Sequence, residues 1–214
     1  LTTLDVTEFD FLEVGASAGL NLNFDKFYAC FGQLRMGSQQ SPLRFMGDWF
    51  GNAPDVPRIG ATVRRRRGTD ISPIDLRNND EATRLLSFIW PDQKARFERT
   101  QFAIDIAREH PPIVDNASAD KWIVQQLQRD QDCATVVFHS IVWQYLGKDV
   151  QQQFKDSMMQ FGESATKKAP LIWARMEPSG PVADVRVTVW NGKKKPSEFR
   201  LAEVGYHGQN FTWL

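Results

Sequence analysis

The chain alternates short apolar runs with longer amphipathic stretches, and this alternation predicts its fold class. Apolar runs of the length of buried strands occupy residues 9–14, 63–67, 113–116, 134–139 and 171–176. Apolar positions at helical spacing occupy residues 81–110, 120–127 and 148–161. Repeated strand–helix alternation is typical of a doubly wound α/β sheet whose strands are mostly parallel. The sequence therefore predicts one Rossmann-like domain over residues 1–214.

The end of the chain and two internal stretches depart from that alternation. Residues 185–190 and 199–206 alternate apolar and polar positions around Asn191-Gly192, which predicts an antiparallel hairpin. Residues 30–60 are punctuated by Gly and Pro without a helical period, and we interpret them as an insertion. Residues 76–110 are helical, broken at Trp90-Pro91, and are interpreted as a lid-like helical insertion.

Composition excludes several classes of protein. The 26 Lys and Arg residues balance 26 Asp and Glu residues, which disfavours a nucleic-acid partner because phosphate binding needs a basic excess. No run approaches 18 apolar residues, so no membrane span is expected. Cys30 and Cys133 are far apart and fit no zinc spacing, so no metal site is expected and reduced thiols point to the cytoplasm. The start at Leu1, directly before a strand, suggests the later part of a longer protein. The sequence does not indicate an oligomeric state.

The most informative motif is the small-residue loop 15–19, Gly-Ala-Ser-Ala-Gly, which follows the first strand. Small residues let a backbone approach a ligand closely, and a helix that follows offers free N–H groups. As G-x-S-x-G the loop fits a hydrolase nucleophile elbow with Ser17, followed by Asp184 and His207 in the expected order. Too few residues precede it for an oxyanion hole, and Glu13 would oppose an oxyanion. The G-x-G-x-x-G dinucleotide spacing is not met.

Four features in order resemble class I S-adenosylmethionine-dependent methyltransferases. Glu13-x-Gly15-x-x-x-Gly19 resembles their first motif, and Asp70 within 67–73 resembles the strand-end acid that binds the ribose hydroxyls. Residues 114–117 resemble the segment that binds the adenine amino group, and the closing hairpin resembles the sixth and seventh strands. The resemblance implies a seven-stranded sheet and an S-adenosylmethionine site. The residues that it assigns to the cofactor are Glu13, Gly15, Ala16, Ser17, Gly19, Asn21, Asp70, Asp115 and Asn116.

The whole chain also resembles a bacterial domain family of unassigned function. The family-like stretches are 13–21, 67–70 with Pro73 and Asp75, 90–93, and 137–140 with Trp143 and Tyr145. This family implies no established reaction. Asp70 lies 50 residues beyond Gly19, whereas a simple βαβ unit needs about 20, and the 30–60 insertion accounts for the difference.

Candidate catalytic residues follow the later strands, because ligands of open α/β sheets lie beyond the carboxyl ends of the strands. His139 and Ser140 end the fourth strand and Glu177 follows the fifth. A histidine there can act as general base towards a small-molecule acceptor; the alternative is a histidine bonded to a neighbouring loop. The run Arg64–Arg67 indicates either an anion site or pairing with nearby acids.

These observations leave three functions open. The leading hypothesis is an S-adenosylmethionine-binding methyltransferase acting on a small acceptor. The second is a non-catalytic nucleoside- or partner-binding scaffold on the same fold. The third is a serine hydrolase that uses Ser17.

Overall fold

The computed structural model describes residues 4, 6–32, 34–47, 50–51, 60–128 and 132–214, so part of the predicted insertion (33, 48–49 and 52–59) lies outside the described residues. The strands are β1 (Glu8–Val14), β2 (Tyr28–Phe31), β3 (Leu34–Met36), β4 (Arg44–Gly47), β5 (Phe50–Gly51), β6 (Thr62–Asp70), β7 (Val114–Asn116), β8 (Ala134–Ser140), β9 (Leu171–Ser179), β10 (Val182–Trp190), β11 (Ser197–Val204) and β12 (Thr212–Trp213). The α-helices are α1 (Asn79–Ser87), α2 (Lys94–Glu109), α3 (Ala119–Leu127) and α4 (Lys148–Glu163).

The large sheet has nine strands in the order β5-β12-β11-β10-β9-β8-β1-β6-β7. The five strands from β7 to β9 pair in parallel, which confirms the predicted mostly parallel α/β sheet. The predicted hairpin is confirmed as β10 and β11, but the antiparallel part starts one strand earlier, because β9 turns directly into β10 at Gly180. At this turn Gly180 has φ 73°, a conformation that glycine adopts without cost.

The centre of the sheet contains the point at which the chain reverses its direction of winding. From β1 the chain proceeds outward to β6 and β7, and it then returns to β8 on the other side of β1. In sheets of this kind the crevice for ligands lies beyond the carboxyl ends of the strands at the reversal. The carboxyl ends of β1, β6 and β8 are therefore the place to examine for a site.

The two faces of the sheet pack against different hydrophobic cores, because successive side chains of a strand point to opposite faces. Leu12 and Val14 of β1 pack with the α3 and α4 side chains, including Trp122 and Phe154. Phe9 and Phe11 face the opposite side and pack with Leu22 of the 3₁₀ segment Leu20–Lys26. Successive β1 residues therefore serve different layers, as the period of two requires.

The connection between β1 and β6 carries the small sheet β3-β2-β4 and the edge strand β5. Because β5 pairs with β12 at the far edge of the large sheet, this connection extends from the middle of the large sheet to its edge. The segment after the glycine loop, which the sequence predicts as a helix, is a seven-residue 3₁₀ helix with a kink at Asn23.

Ser72 followed by Pro73 is a sequence signal for the start of a helix, but no helix begins there. Helix α1 begins at Asn79, where the Asn78 side chain accepts a hydrogen bond from the Asp80 amide. The Ser72 amide instead donates to the Asp70 side chain, which holds this stretch in a turn.

Candidate functional site

The loop that leaves β1 has left-handed backbone at three of its five residues. Gly15 and Gly19 both have φ 70°, and Ser17 has φ 53°. Left-handed backbone is uncommon for residues other than glycine and is often found at functional turns. The Ala16 amide donates to the Thr69 carbonyl over 2.9 Å, so the loop bends towards the end of β6.

The protein's own side chains fill the space beside both glycines. A Cβ added at Gly15 would lie 2.4 Å from Val142 Cγ2, and one added at Gly19 would lie 2.8 Å from Pro112 and Val114. The expectation that the small residues leave these two positions open is therefore wrong. Internal packing explains both glycines without a ligand, and Gly15 and Ser17 are the half-buried residues of the loop.

Asp70 ends β6 and holds the loop by its side chain. Its Oδ2 accepts a hydrogen bond from the Ser17 amide over 2.8 Å, and its Oδ1 accepts one from the Ser72 amide over 2.9 Å. The register pairs Glu13 with Gly68, two residues before Asp70, so Glu13 and Asp70 share one face of the sheet. The structure therefore brings these two predicted site residues together.

Glu13 is a buried carboxyl group next to Asp70, with 3% of its surface exposed. Its Oε1 accepts a hydrogen bond from the Asn21 side chain over 2.8 Å, whereas its Oε2 has no hydrogen-bond partner among the described residues. Burial raises the pKa of Glu13 from 4.5 to about 8; the Asn21 hydrogen bond opposes the rise, and the charge of Asp70 adds to it. At neutral pH Glu13 is therefore a protonated acid.

The two residues predicted to bind adenine have different surroundings. Asp115 accepts two hydrogen bonds from the Arg67 guanidinium, over 2.6 and 2.7 Å, and a third from the Trp122 indole over 2.6 Å. These contacts join β7 to β6 and α3, so they give Asp115 a structural role. Asn116 is exposed and lies next to Asp70 in the register, which leaves it accessible to a ligand.

The arginine run on β6 is used for ion pairs. Arg64 and Arg65 both bind Asp10, Arg66 binds Asp25, and Arg67 binds Asp115. Of the two interpretations of this run, the structure supports pairing with nearby acids.

His139 and Glu177 are in contact with one another. His139 Nδ1 lies 2.5 Å from Glu177 Oε1, and the two Glu177 oxygens also accept hydrogen bonds from the amides of Val142 and Trp143. His139 is 1% exposed and stacks on Trp143, and its Nε2 has no partner among the described residues.

The register places His139 beside Val14, on the sheet face opposite Glu13. This arrangement fits the loop-bonded alternative for His139, since the pair fixes the segment whose Val142 covers Gly15. Ser140 is half-buried at the end of β8. A catalytic role for these three residues stays a prediction.

The residues of the hydrolase hypothesis do not form a triad. Asp184 binds Arg186 and Arg200, and His207 contacts Arg96. In the part of the chain that the structure describes, no hydrogen bond joins the Ser17 hydroxyl to a histidine. Ser17 has the positive φ of an elbow residue but not its partners.

An open cleft of about 960 Å³ lies next to the loop. One wall begins at Leu20 and Asn21, directly after Gly19, and the others come from β4, the start of α2 and residues 207–211. Sequence analysis missed its charged residues, Arg44, Lys94, Arg96 and Arg99. No local pattern in the sequence distinguishes these four from other cations, because three separate segments have to meet before they form a site.

The described residues contain no group of three or more His, Cys, Asp or Glu side chains that could hold a metal ion. The same residues include no helix that is long and apolar enough to cross a membrane.

Comparison with known proteins gives one finding. A family model described as "Uncharacterized protein conserved in bacteria (DUF2332)" matches residues 4–213. Neither the curated proteins nor the solved structures provide a match.

Proposed function

For this chain, which belongs to the uncharacterised bacterial family DUF2332, we propose that it binds S-adenosylmethionine or a related nucleoside and transfers a methyl group to a small acceptor. The observation that carries the proposal is the meeting of Glu13 and Asp70 beside the Ser17 loop, at the carboxyl ends of two neighbouring parallel strands. An acid at this position of a nucleoside-binding fold accepts hydrogen bonds from the ribose hydroxyls.

Asp70 keeps acceptor capacity for such a ligand. A carboxylate offers about four lone-pair sites, and the amides of Ser17 and Ser72 use one on each oxygen. The remaining sites suit two vicinal hydroxyl groups. The backbone contacts orient the carboxylate before a ligand arrives, which lowers the entropy cost of binding.

Glu13 contributes a second polar group to the same place. A neutral acid supplies one O–H donor, and it does not add a second full negative charge beside Asp70. A buried polar atom without a partner is rare in folded proteins and calls for a specific explanation. Among the described residues, Oε2 of Glu13 is such an atom, and its residue shares a face of the sheet with Asp70.

The chemistry that this arrangement requires is mainly alignment. A bound S-adenosylmethionine supplies a methyl group already activated by its sulfonium, so the protein has to hold an acceptor in line with it. The cleft that begins at Asn21 is next to the Glu13 side chain and has room for a small acceptor.

A non-catalytic nucleoside-binding scaffold is the second candidate. The burial of His139 against Trp143 favours it, because the predicted general base does not reach an open surface. Both candidates bind the nucleoside at the same site, and they differ only in whether a methyl group is transferred.

Calorimetric titration of the purified protein with S-adenosylmethionine and with its demethylated product tests the proposal. We expect both to bind, and we expect Asp70→Asn to weaken binding at least tenfold while Asp75→Asn, an exposed control on the same connection, leaves it unchanged. Urea unfolding of each variant verifies that it is folded. The proposal is wrong if neither compound binds, or if Asp70→Asn keeps full affinity. Esterase activity that disappears in Ser17→Ala would support the hydrolase instead.

A further inference from the structure

The walls of the 960 Å³ cleft carry an excess of positive charge. The described residues that line it include four cations, Arg44, Lys94, Arg96 and Arg99, and one carboxylate, Asp92. The four cations lie on two elements, β4 and α2. His207 is on a third wall, and its Nε2 lies 3.5 Å from Arg96 Nη1.

These four cations differ from the other arginines by their lack of acidic partners. Within the described ranges, none of the four is within salt-bridge distance of a carboxylate, whereas all four arginines of 64–67 are. Arg44 lies over the Tyr28 ring and donates to the Gln39 carbonyl, and Arg96 donates to the Gln93 side chain. Their charges are therefore not neutralised by described parts of the protein.

Two of these cations lie in the first turn of α2, where positive charge destabilises a helix. The amino-terminal end of a helix is electropositive and is usually stabilised by acidic residues. The first turn of α2 has no acid and carries Lys94 and Arg96, and Gln93 provides no side-chain cap. A negatively charged ligand in the cleft would relieve the repulsion and offer an acceptor to the Lys94 and Ala95 amides, which at the start of a helix have no intrahelical acceptor.

The rest of the lining is aromatic and apolar. Phe31 and Phe45 come from the small sheet, and Phe211 comes from the segment before β12. Phe45 is 38% exposed, so an apolar group can reach its ring. The combination of guanidinium groups with accessible rings fits a molecule that has an anionic group on an aromatic body.

We infer that this cleft binds an aromatic anion, a carboxylate or phosphate group attached to a ring, between the guanidinium groups of β4 and α2. If the proposed function is right, the anion is the methyl acceptor; only this identification rests on the proposed function. The binding itself requires no S-adenosylmethionine.

Calorimetric titrations without any nucleoside test the inference, with phenyl phosphate and benzoate as probes. Benzyl alcohol is the neutral control, and inorganic phosphate is the control without a ring. We expect at least one aromatic anion to bind at least tenfold more tightly than either control. Arg44→Gln on β4 and Arg99→Gln on α2 should each weaken that binding at least tenfold. Arg84→Gln, which removes an exposed positive charge on α1, should leave it unchanged.

The unliganded variants separate a binding role from a structural one. Because Arg99 is close to uncompensated cations, Arg99→Gln should keep or raise the melting temperature of the free protein. Binding of neither probe, equal binding of a control compound, full affinity in both cleft variants, or a lower melting temperature of free Arg99→Gln would each overturn the inference. Failure of S-adenosylmethionine to bind would refute the proposed function and leave these titrations unaffected.

Discussion

The Asp70 carboxylate accepts a hydrogen bond from the Ser17 amide over 2.8 Å, and this contact ties the end of β6 to the loop that leaves β1. The two residues are 53 positions apart in the chain, with the whole small sheet between them. The same carboxylate therefore holds the loop in place and is also the predicted contact for the ribose hydroxyls.

Replacement of Asp70 by alanine should destabilise the fold. The amides of Ser17 and Ser72 would both lose their acceptor, at a cost of about 1–3 kcal/mol for each amide that stays buried. Asp70→Asn keeps an acceptor oxygen and should cost less. Urea unfolding of both variants measures the difference, and equal stability of Asp70→Ala and the wild type would contradict a stabilising role for the Asp70 carboxylate.

The stability of the protein should depend on pH through Glu13. Its folded-state pKa is raised to about 8, so between pH 4.5 and 8 the folded state keeps a proton that the unfolded chain loses. The contribution of Glu13 to the free energy of unfolding should therefore be largest below pH 4.5. It should fall by about 1.4 kcal/mol per pH unit between pH 4.5 and 8 and level off above pH 8.

Glu13→Gln removes this proton and keeps an oxygen for the Asn21 amide. The difference in unfolding free energy between the variant and the wild type should grow from pH 5 to pH 8, with the variant becoming relatively more stable. Urea unfolding at a series of pH values provides the curve, and Glu109→Gln at the exposed end of α2 is the control. A difference independent of pH would show that Glu13 is ionised when folded.

Gly15→Ala should be more costly than Gly180→Ala. The two glycines have similar positive φ angles of 70° and 73°, so backbone strain is nearly equal. Only at Gly15 does a new Cβ meet another side chain, that of Val142, whereas nothing lies near Gly180. The packing clash should add about 1–3 kcal/mol.

The double variant Gly15→Ala/Val142→Ala tests whether that contact is the cause. Removing the Val142 branches should recover part of the loss, as a double-mutant cycle of unfolding free energies would show. Additive effects of the two changes would mean that the glycine is needed for another reason.

Glu177 should stabilise the segment after β8. In Glu177→Ala, His139 Nδ1 and the amides of Val142 and Trp143 would lose their acceptor, and we expect a loss of about 1–3 kcal/mol. Thermal unfolding of the variant and of the wild type measures this loss. No change would mean that the three donors find other acceptors.

Asp10 should contribute far more to stability than Asp132, although both bind Arg64. Asp10 is buried and also binds Arg65, so Asp10→Ala removes the carboxylate that two guanidinium groups share, at a cost of about 1–3 kcal/mol. Asp132 is exposed, and solvent screens its pair with Arg64, so Asp132→Ala should change little. Denaturant midpoints of the two variants provide the comparison, and similar midpoints would contradict a structural role for the arginine run.

The fold class was predictable because the signals for it are local. The β-branched run that became β8, the alternation around Asn191-Gly192 and the helical spacing of α2 and α4 each reflect the geometry of a few consecutive residues. The position of Asp70 near Glu13 was predicted from the resemblance to methyltransferases, since the local pattern ends that strand at Arg67.

Side-chain partners were not predictable, because they come from segments that are distant in the chain. Nothing near Gly15 in the sequence indicates Val142, and nothing near Asp115 indicates Arg67. Both pairings follow from the register of β1, β6, β7 and β8, which the sequence pattern leaves unspecified.

The sequence by itself determined a doubly wound sheet and a tight turn after its first strand, since the spacing of apolar and turn residues is enough to specify them. The resemblance to methyltransferases, not this spacing, placed Glu13 and Asp70 on neighbouring strands. Only the tertiary structure decided that the glycines are packed against side chains, that His139 is buried away from Glu13, and that β4, α2 and residues 207–211 enclose a cationic cleft. The physical reason is that burial and unpaired charge are properties of residues brought together by folding, not of any one stretch of chain.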